Sequence, residues 1–261
     1  MIPEENEAAA SIRLTRVTRL FGAFAAVNRF SLHVLPGEIV GLLGPNGAGK
    51  TTTVKMLMGM MRPTHGEIRV FGADCFEDRV EVQGRVGYLP DEPNFQSHLR
   101  GIELLEFVGK VRGVSPEALQ KGIDTLGAKL DLTGDLGEFA ANYSKGMKKK
   151  LAFMMALLHG PEVLIMDEPT NGLDPVATRS FLEIVRERSA AGTAILYSTH
   201  LLDQAEKLCD RCEIMHKGMN IAGGTVAELK ERAGGAESLE DVFFAVTGNA
   251  LDEDTTAGPD A

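Results

Sequence analysis

The chain has no tryptophan, only three cysteines among its 261 residues, and no apolar run long enough to cross a bilayer. Cys75, Cys209 and Cys212 are too few and too unevenly placed for a disulfide framework. Cys209 and Cys212 form C-x-x-C, but no second pair completes a zinc site, so both are read as small packing residues. His33, His65, His98, His159 and His216 lack metal-ligand spacing and are assigned surface or packing roles. The longest apolar stretch, Leu151 to Leu158, stops at His159-Gly160-Pro161, far short of the ~18 residues a span requires. The start, MIPEENEAAA, lacks the basic and apolar segments of a secretory leader, and the expected location is the cytosol.

An excess of positive charge is also missing. The net charge is -10, and seven of the acids lie in the end segments: Glu4, Glu5, Glu7, Asp252, Glu253, Asp254 and Asp260. Neither segment holds Lys or Arg, so the body of the chain is close to neutral. Nucleic acid has no electrostatic foothold on such a body. Residues 1–10 and 249–261 are read as disordered acidic tails, and 11–248 as the folded domain.

What is present is a phosphate-binding loop. Gly44, Pro45, Asn46, Gly47, Ala48, Gly49, Lys50, Thr51 and Thr52 spell GPNGAGKTT. The apolar run Ile39 to Leu43 precedes it, as a buried parallel strand would, and Thr51 to Met61 reads as a helix with one face inward. Glycines let consecutive N–H groups turn towards a polyphosphate, and the helix N-terminus adds partial positive charge there. In that context Lys50 reaches the β- and γ-phosphates and the Thr51 hydroxyl holds Mg2+. Met56, Met58, Met60 and Met61 are assigned to the core.

Strands are expected at 12–18, 30–35, 39–43, 67–72 and 86–89, giving a β-rich first third with one helix. Helices then dominate, at 102–111, 116–126 and 148–158, and residues of about 95–158 are read as a helical insertion. Strand and helix alternate again at 162–167, 177–191, 193–198, 203–210 and 212–216, which argues for a parallel α/β core.

The apolar strand Val163 to Met166 ends in Asp167-Glu168. Acids at the C-terminal end of a strand in such a sheet lie beside the ligand crevice. Asp167 can hold Mg2+, and Glu168 can polarise an attacking water. Upstream, Ser144 and Gly146 begin another helix and form an anion-receptive terminus flanked by Lys145. Lys148, Lys149 and Lys150 are read as a solvated face.

These motifs together resemble the ATP-binding cassette (ABC) proteins, specifically the ATP-hydrolysing subunits of ABC transporters, over about residues 12–248. GPNGAGKTT corresponds to Walker A, Val163 to Glu168 to Walker B, and Asn171 to Asp174 to the D-loop. Phe21 stands where an aromatic stacks on adenine, and Asp91 where the Q-loop glutamine usually is. YSKGM at 143–147 matches the signature usually written LSGGQ, and His200 matches the switch histidine. Three of these motifs depart from the pattern. Asp91 is shorter and charged, Phe21 lacks a hydroxyl, and Tyr143, Lys145 and Met147 leave Ser144 and Gly146 as the safest signature residues.

The resemblance implies the ABC ATPase fold: a P-loop parallel-sheet core with an N-terminal antiparallel β subdomain and an inserted helical subdomain. It implies Glu168, His200 and Lys50 as catalytic residues and Thr51, Asp91 and Asp167 around Mg2+. It implies a second ATPase subunit, as a homodimer, with ATP between the P-loop of one copy and Ser144 of the other. A membrane-spanning subunit is expected to contact the region from Asp91 to Phe107 and to hold the protein at the inner face of the membrane. Asp91, YSKGM and the segment SLEDVFFAVTG (238–248) are similar to an efflux branch of the family. Import, or a soluble role on ribosomes or DNA, stays open, whereas a GTP switch is disfavoured because no N-K-x-D occurs.

Overall fold

A computed structural model describes residues 10–256 of the chain, with side chains described through Gly248. Residues 1–9 and 257–261, parts of the two expected tails, lie outside the described residues.

The first layer is an antiparallel sheet of β1 (Ile12–Phe21), β2 (Phe24–Val34), β4 (His65–Val70) and β5 (Ala73–Asp74), in the order β2-β1-β4-β5. The second has six strands, in the order β10-β9-β3-β8-β7-β6. These are β3 (Ile39–Leu43), β6 (Val86–Leu89), β7 (Val163–Asp167), β8 (Ala194–Thr199), β9 (Arg211–His216) and β10 (Met219–Thr225). All neighbours in it run parallel except β10, which pairs antiparallel to β9.

Strands buried on both faces carry near-continuous apolar runs: β3 and β7 are buried along their whole length and break that run with a charge only at Asp167, the last residue of β7. Their alternate side chains enter two different cores. Val40, Leu42, Val163 and Ile165 pack towards the antiparallel sheet and helix α1 (Lys50–Leu57). Ile39, Leu43, Leu164 and Met166 pack towards the helices on the other side. Arg211 ties the layers together: its guanidinium reaches Glu38 at 3.0 Å and donates to the His33 carbonyl at 2.6 Å.

Between β6 and β7 lie α3 (Gly101–Val111), α4 (Pro116–Lys129) and α5 (Lys145–Leu157), preceded by the short α2 (Arg79–Arg85). Phe153 of α5 stacks on Phe181 of α6 (Pro175–Ala190), with ring centroids 3.9 Å apart, and so fastens the insertion to the core. The chain closes with α7 (Leu202–Leu208), α8 (Val226–Arg232) and α9 (Leu239–Thr256), the last continuing beyond Gly248.

Several boundaries differ from the sequence reading. Helix α1 ends at Leu57 rather than near Met61, so Met56 and Met58 are buried while Met60 is exposed, not core. Helix α5 begins three residues earlier than Lys148, because the Ser144 hydroxyl caps it by accepting the Met147 N–H at 3.2 Å. Strand β2 starts at Phe24 rather than residue 30. A register shift opposite Arg29 (φ 49) breaks the alternation that marks a strand in sequence. Strand β10 carries Ala222-Gly223-Gly224, which have little intrinsic strand preference. Cys209 and Cys212 are buried and free, as packing residues.

Candidate active site

Strand order makes the site. β8 lies between β3 and β7, in register such that Leu43 pairs with Thr199, and Asp167 with Ser198. The segments leaving these three neighbouring strands are therefore the P-loop, Glu168 and His200, side by side at the carboxyl edge of the sheet.

The P-loop geometry depends on glycine. At Gly49 φ is 111°, and a Cβ would stand 2.5 Å from the Ala26 carbonyl. At Gly44 a Cβ would stand 2.2 Å from the Met215 carbonyl. Any side chain at either position would push the loop off the strand edges beneath it. The Lys50 Nζ is held by the Gly44 carbonyl at 2.6 Å and the Pro45 carbonyl at 3.3 Å. It also lies 3.3 Å from Glu168 Oε1, an ion-pair contact without hydrogen-bond geometry.

Thr51 donates to Asp167 Oδ2 at 2.8 Å, and Ser198 donates to Asp167 Oδ1 at 2.9 Å. Both oxygens of the carboxylate are thereby oriented, and Thr51 and Asp167 present hard oxygen donors side by side. Tyr88, on the neighbouring strand β6, keeps its proton: burial, then the charges of Asp167 and Asp91, push its pKa up to about 12.

Glu168 has φ +45°, a region that L residues other than asparagine and aspartate seldom enter. Its N–H donates to the Ser198 carbonyl at 2.8 Å. Its Oε2 receives the Thr199 hydroxyl at 3.2 Å and the His200 N–H at 3.3 Å, and lies 2.8 Å from His200 Nδ1. The backbone on one side and the switch segment on the other fix where this carboxylate points.

A cleft of about 350 Å³ runs along these groups. It is lined by Phe21, Phe24, Ala26, Pro45, Asn46, Gly47, Gly49, Lys50, Thr51, Thr52, Asp91 and Glu168. The Phe21 ring is 45 % exposed, with the Arg19 guanidinium 4.8 Å above it. Phe24, paired with Phe21 across the β1–β2 turn, is a second aromatic at the cleft mouth that the sequence reading missed. The turn spelling FGAF is the signal that could have found it. Ser144 and Gly146 do not line the cleft: Ser144 is exposed, and Gly146 packs near the Gly172 carbonyl.

Apolar and aromatic walls at one end, a glycine-rich anion cradle in the middle, and a carboxylate beside paired hard oxygens suit a nucleoside triphosphate and its hydrolysis. Residues 27–171 match the family model described as ABC transporter. The chain belongs to the ABC transporter family. It is 38 % identical over 225 residues to the bacitracin transport ATP-binding protein BcrA of Enterococcus faecalis, spanning 85 % of this chain and 71 % of that protein. It is 37 % identical over 231 residues to the Nod factor export ATP-binding protein I of Paraburkholderia xenovorans (strain LB400), spanning 88 % and 76 % respectively. A solved structure of an ATP binding subunit of an ABC transporter superposes with TM-score 0.86 at 32 % identity, covering 90 % of this chain and 99 % of that one. This chain is thus an ATP-binding, ATP-hydrolysing ABC subunit with the fold expected of one.

Lys149 corrects the sequence reading of this ABC subunit. Lys148 and Lys150 are half-buried, but Lys149 is wholly buried instead of solvated. Its Nζ donates to the carbonyls of Pro90 at 3.3 Å, Glu168 at 2.9 Å and Asp91. It also lies 3.5 Å from the Asp91 carboxylate. Burial pulls its pKa down, and the Asp91 charge is the largest influence opposing that. Asp91 is therefore in the cleft wall, but its carboxylate is engaged by Lys149 and, at 3.4 Å, by Asn171.

Proposed function

We propose that the chain powers export through a separate membrane-spanning subunit, working as a homodimer that ATP closes and hydrolysis opens. One observation carries this reading. Glu168 is fixed at the cleft between Lys50 and His200, while Ser144 and Gly146, the other anion-receptive residues, stand outside it. A second copy facing the first supplies Ser144 and Gly146 to the exposed side of the γ-phosphate.

In that arrangement Phe21 stacks on adenine, and backbone N–H groups of the loop from Asn46 to Thr52, with the Lys50 ammonium, hold the phosphates. Glu168 orients and polarises the attacking water, and His200 contacts the γ-phosphate. Thr51 and Asp167 fit Mg2+, since both are hard oxygen donors and already meet at 2.8 Å. When bound, the ion shields charge on the β- and γ-phosphates. Closure follows from differential affinity: ATP touches both copies only in the closed pair, and its hydrolysis removes that preference.

Export is supported by the relatives, whose names describe bacitracin transport and Nod factor export. No helix among the described residues is long and apolar enough to cross a membrane, and the spanning part is assigned to a separate subunit. Phe107 and Val111 are exposed one turn apart on α3; Phe107 ends the expected docking region from Asp91, and Val111 extends it by one turn. The protein then sits in the cytoplasm against the inner face of the membrane.

The test is the dependence of Mg2+-stimulated ATPase rate on protein concentration. A homodimeric site gives a rate that rises more steeply than linearly below the dimerisation range, and Ser144→Ala lowers it. A strictly linear rate, indifferent to Ser144→Ala, overturns the two-copy site.

A further inference from the structure

Lys149 is the most deeply buried charged side chain near the cleft, and its three carbonyl partners come from two distant segments. Pro90 and Asp91 lie just after β6, and Glu168 just after β7. The lysine itself belongs to the second turn of α5, in the helical insertion. One ammonium therefore joins the insertion, the segment carrying Asp91, and the residue assigned to water activation.

The contact with Glu168 is to its backbone. That residue has φ +45°, a conformation that costs energy and persists only when neighbouring contacts enforce it. Its N–H is held by the Ser198 carbonyl, and its own carbonyl is held by Lys149. The two hydrogen bonds grip the residue from opposite sides, and the direction of its side chain towards His200 follows from the backbone they fix.

A buried ammonium is costly unless a counter-charge and full hydrogen bonding compensate it. Here the counter-charge is Asp91, 38 % exposed and at the cleft wall, whose other contact is the Asn171 amide. An acid at position 91 thus has a partner inside the protein as well as a place beside the cleft.

We propose that Lys149 is a positioning residue for ATP hydrolysis: its buried ammonium pins the strained Glu168 peptide, and Asp91 acts through that ammonium. The proposal rests on the role of Glu168 given above. Movement of the segment after β6 is then transmitted to Glu168 by one shared lysine, with no contact between Asp91 and the glutamate side chain required.

The test uses the full chain, at protein concentrations where the ATPase rate per subunit has levelled off. Steady-state kinetics and ATP affinity are compared for wild type, Lys149→Met, Asp91→Asn, the double variant and Glu168→Gln. Displacing a reacting group by even 1 Å costs on the order of 100-fold in rate, so Lys149→Met should lower kcat by at least roughly tenfold. KM for ATP should stay within about threefold, because the phosphate cradle is untouched. Adding Asp91→Asn to Lys149→Met should cause no further loss, since contacts acting through one group are non-additive. Lys149→Gln, which keeps an N–H donor for the carbonyls, replaces Lys149→Met if the latter does not fold, and it too should lose kcat rather than ATP affinity. A Lys149 variant that binds ATP and keeps wild-type kcat overturns the proposal. So does a multiplicative loss in the double variant accompanied by a raised Mg2+ requirement, which would make Asp91 an independent metal ligand. Full turnover by Glu168→Gln would remove the assignment of the glutamate itself, and this proposal with it.

Discussion

His200 Nδ1 lies 2.8 Å from Glu168 Oε2, and the same carboxylate oxygen also receives the Thr199 hydroxyl and the His200 N–H. The histidine ring is therefore one of three groups from one segment on that oxygen, and the other two remain when the ring is removed.

His200→Ala should consequently leave Glu168 close to its place while deleting the group assigned to the γ-phosphate. A lost electrostatic contact of this kind lowers kcat by roughly 100-fold. ATP affinity, set by the P-loop, should change by less than about threefold. Equilibrium nucleotide binding and steady-state hydrolysis on the same preparation check the pair of outcomes. A variant that hydrolyses at the wild-type rate removes His200 from the reaction.

Gly49→Ala should disable the phosphate cradle itself. The position has φ 111°, and its Cβ would stand 2.5 Å from the Ala26 carbonyl, so both strain and collision oppose the substitution. Strain of this type costs about 1–3 kcal/mol. Calorimetry should show a lowered Tm, and ATP should no longer raise it. An alanine variant with wild-type Tm and ATP binding would show that the loop has another accessible shape.

Much of the site was legible because its signals are short in sequence. The glycines and Lys50 of the P-loop, and Asp167-Glu168 after four apolar residues, declare both their chemistry and their local structure. The strand pairing Leu43–Thr199 and Asp167–Ser198 then brings them together, an adjacency the motifs do not state by themselves. Lys149 was not legible in this way. Three consecutive lysines read as a solvated face, and only the angle at which α5 packs decides that the middle one is enclosed by carbonyls. Met60 fails for a related reason, since the helix stops at Leu57 and the inward periodicity ends with it. Strand β10, with two adjacent glycines, is specified by pairing with β9 rather than by its own residues.

Acid should weaken the fold through His159. Burial first, and then the charge of Arg112, push this imidazole from 6.5 down to about 4. Above pH 6.5 it is neutral in folded and unfolded chains and contributes nothing to the pH dependence. Between pH 6.5 and about 4 the unfolded chain takes up a proton that the folded chain refuses, so stability falls as pH falls. Below that window the loss is complete. Denaturation curves of wild type and His159→Phe should diverge as pH drops through the window, with wild type losing more. Parallel pH profiles would show that His159 protonates freely in the folded protein.

The measurement that bears most directly on the account is the mass of Glu168→Gln in solution with ATP and Mg2+, followed by light scattering. Binding without hydrolysis should hold the closed pair, so the protein elutes as a dimer with ATP and returns to monomer with ADP. Ser144→Ala in the same background should weaken that dimer. If Glu168→Gln binds ATP yet stays monomeric at every concentration, two copies do not share the nucleotide, and the proposed coupling of hydrolysis to export is wrong.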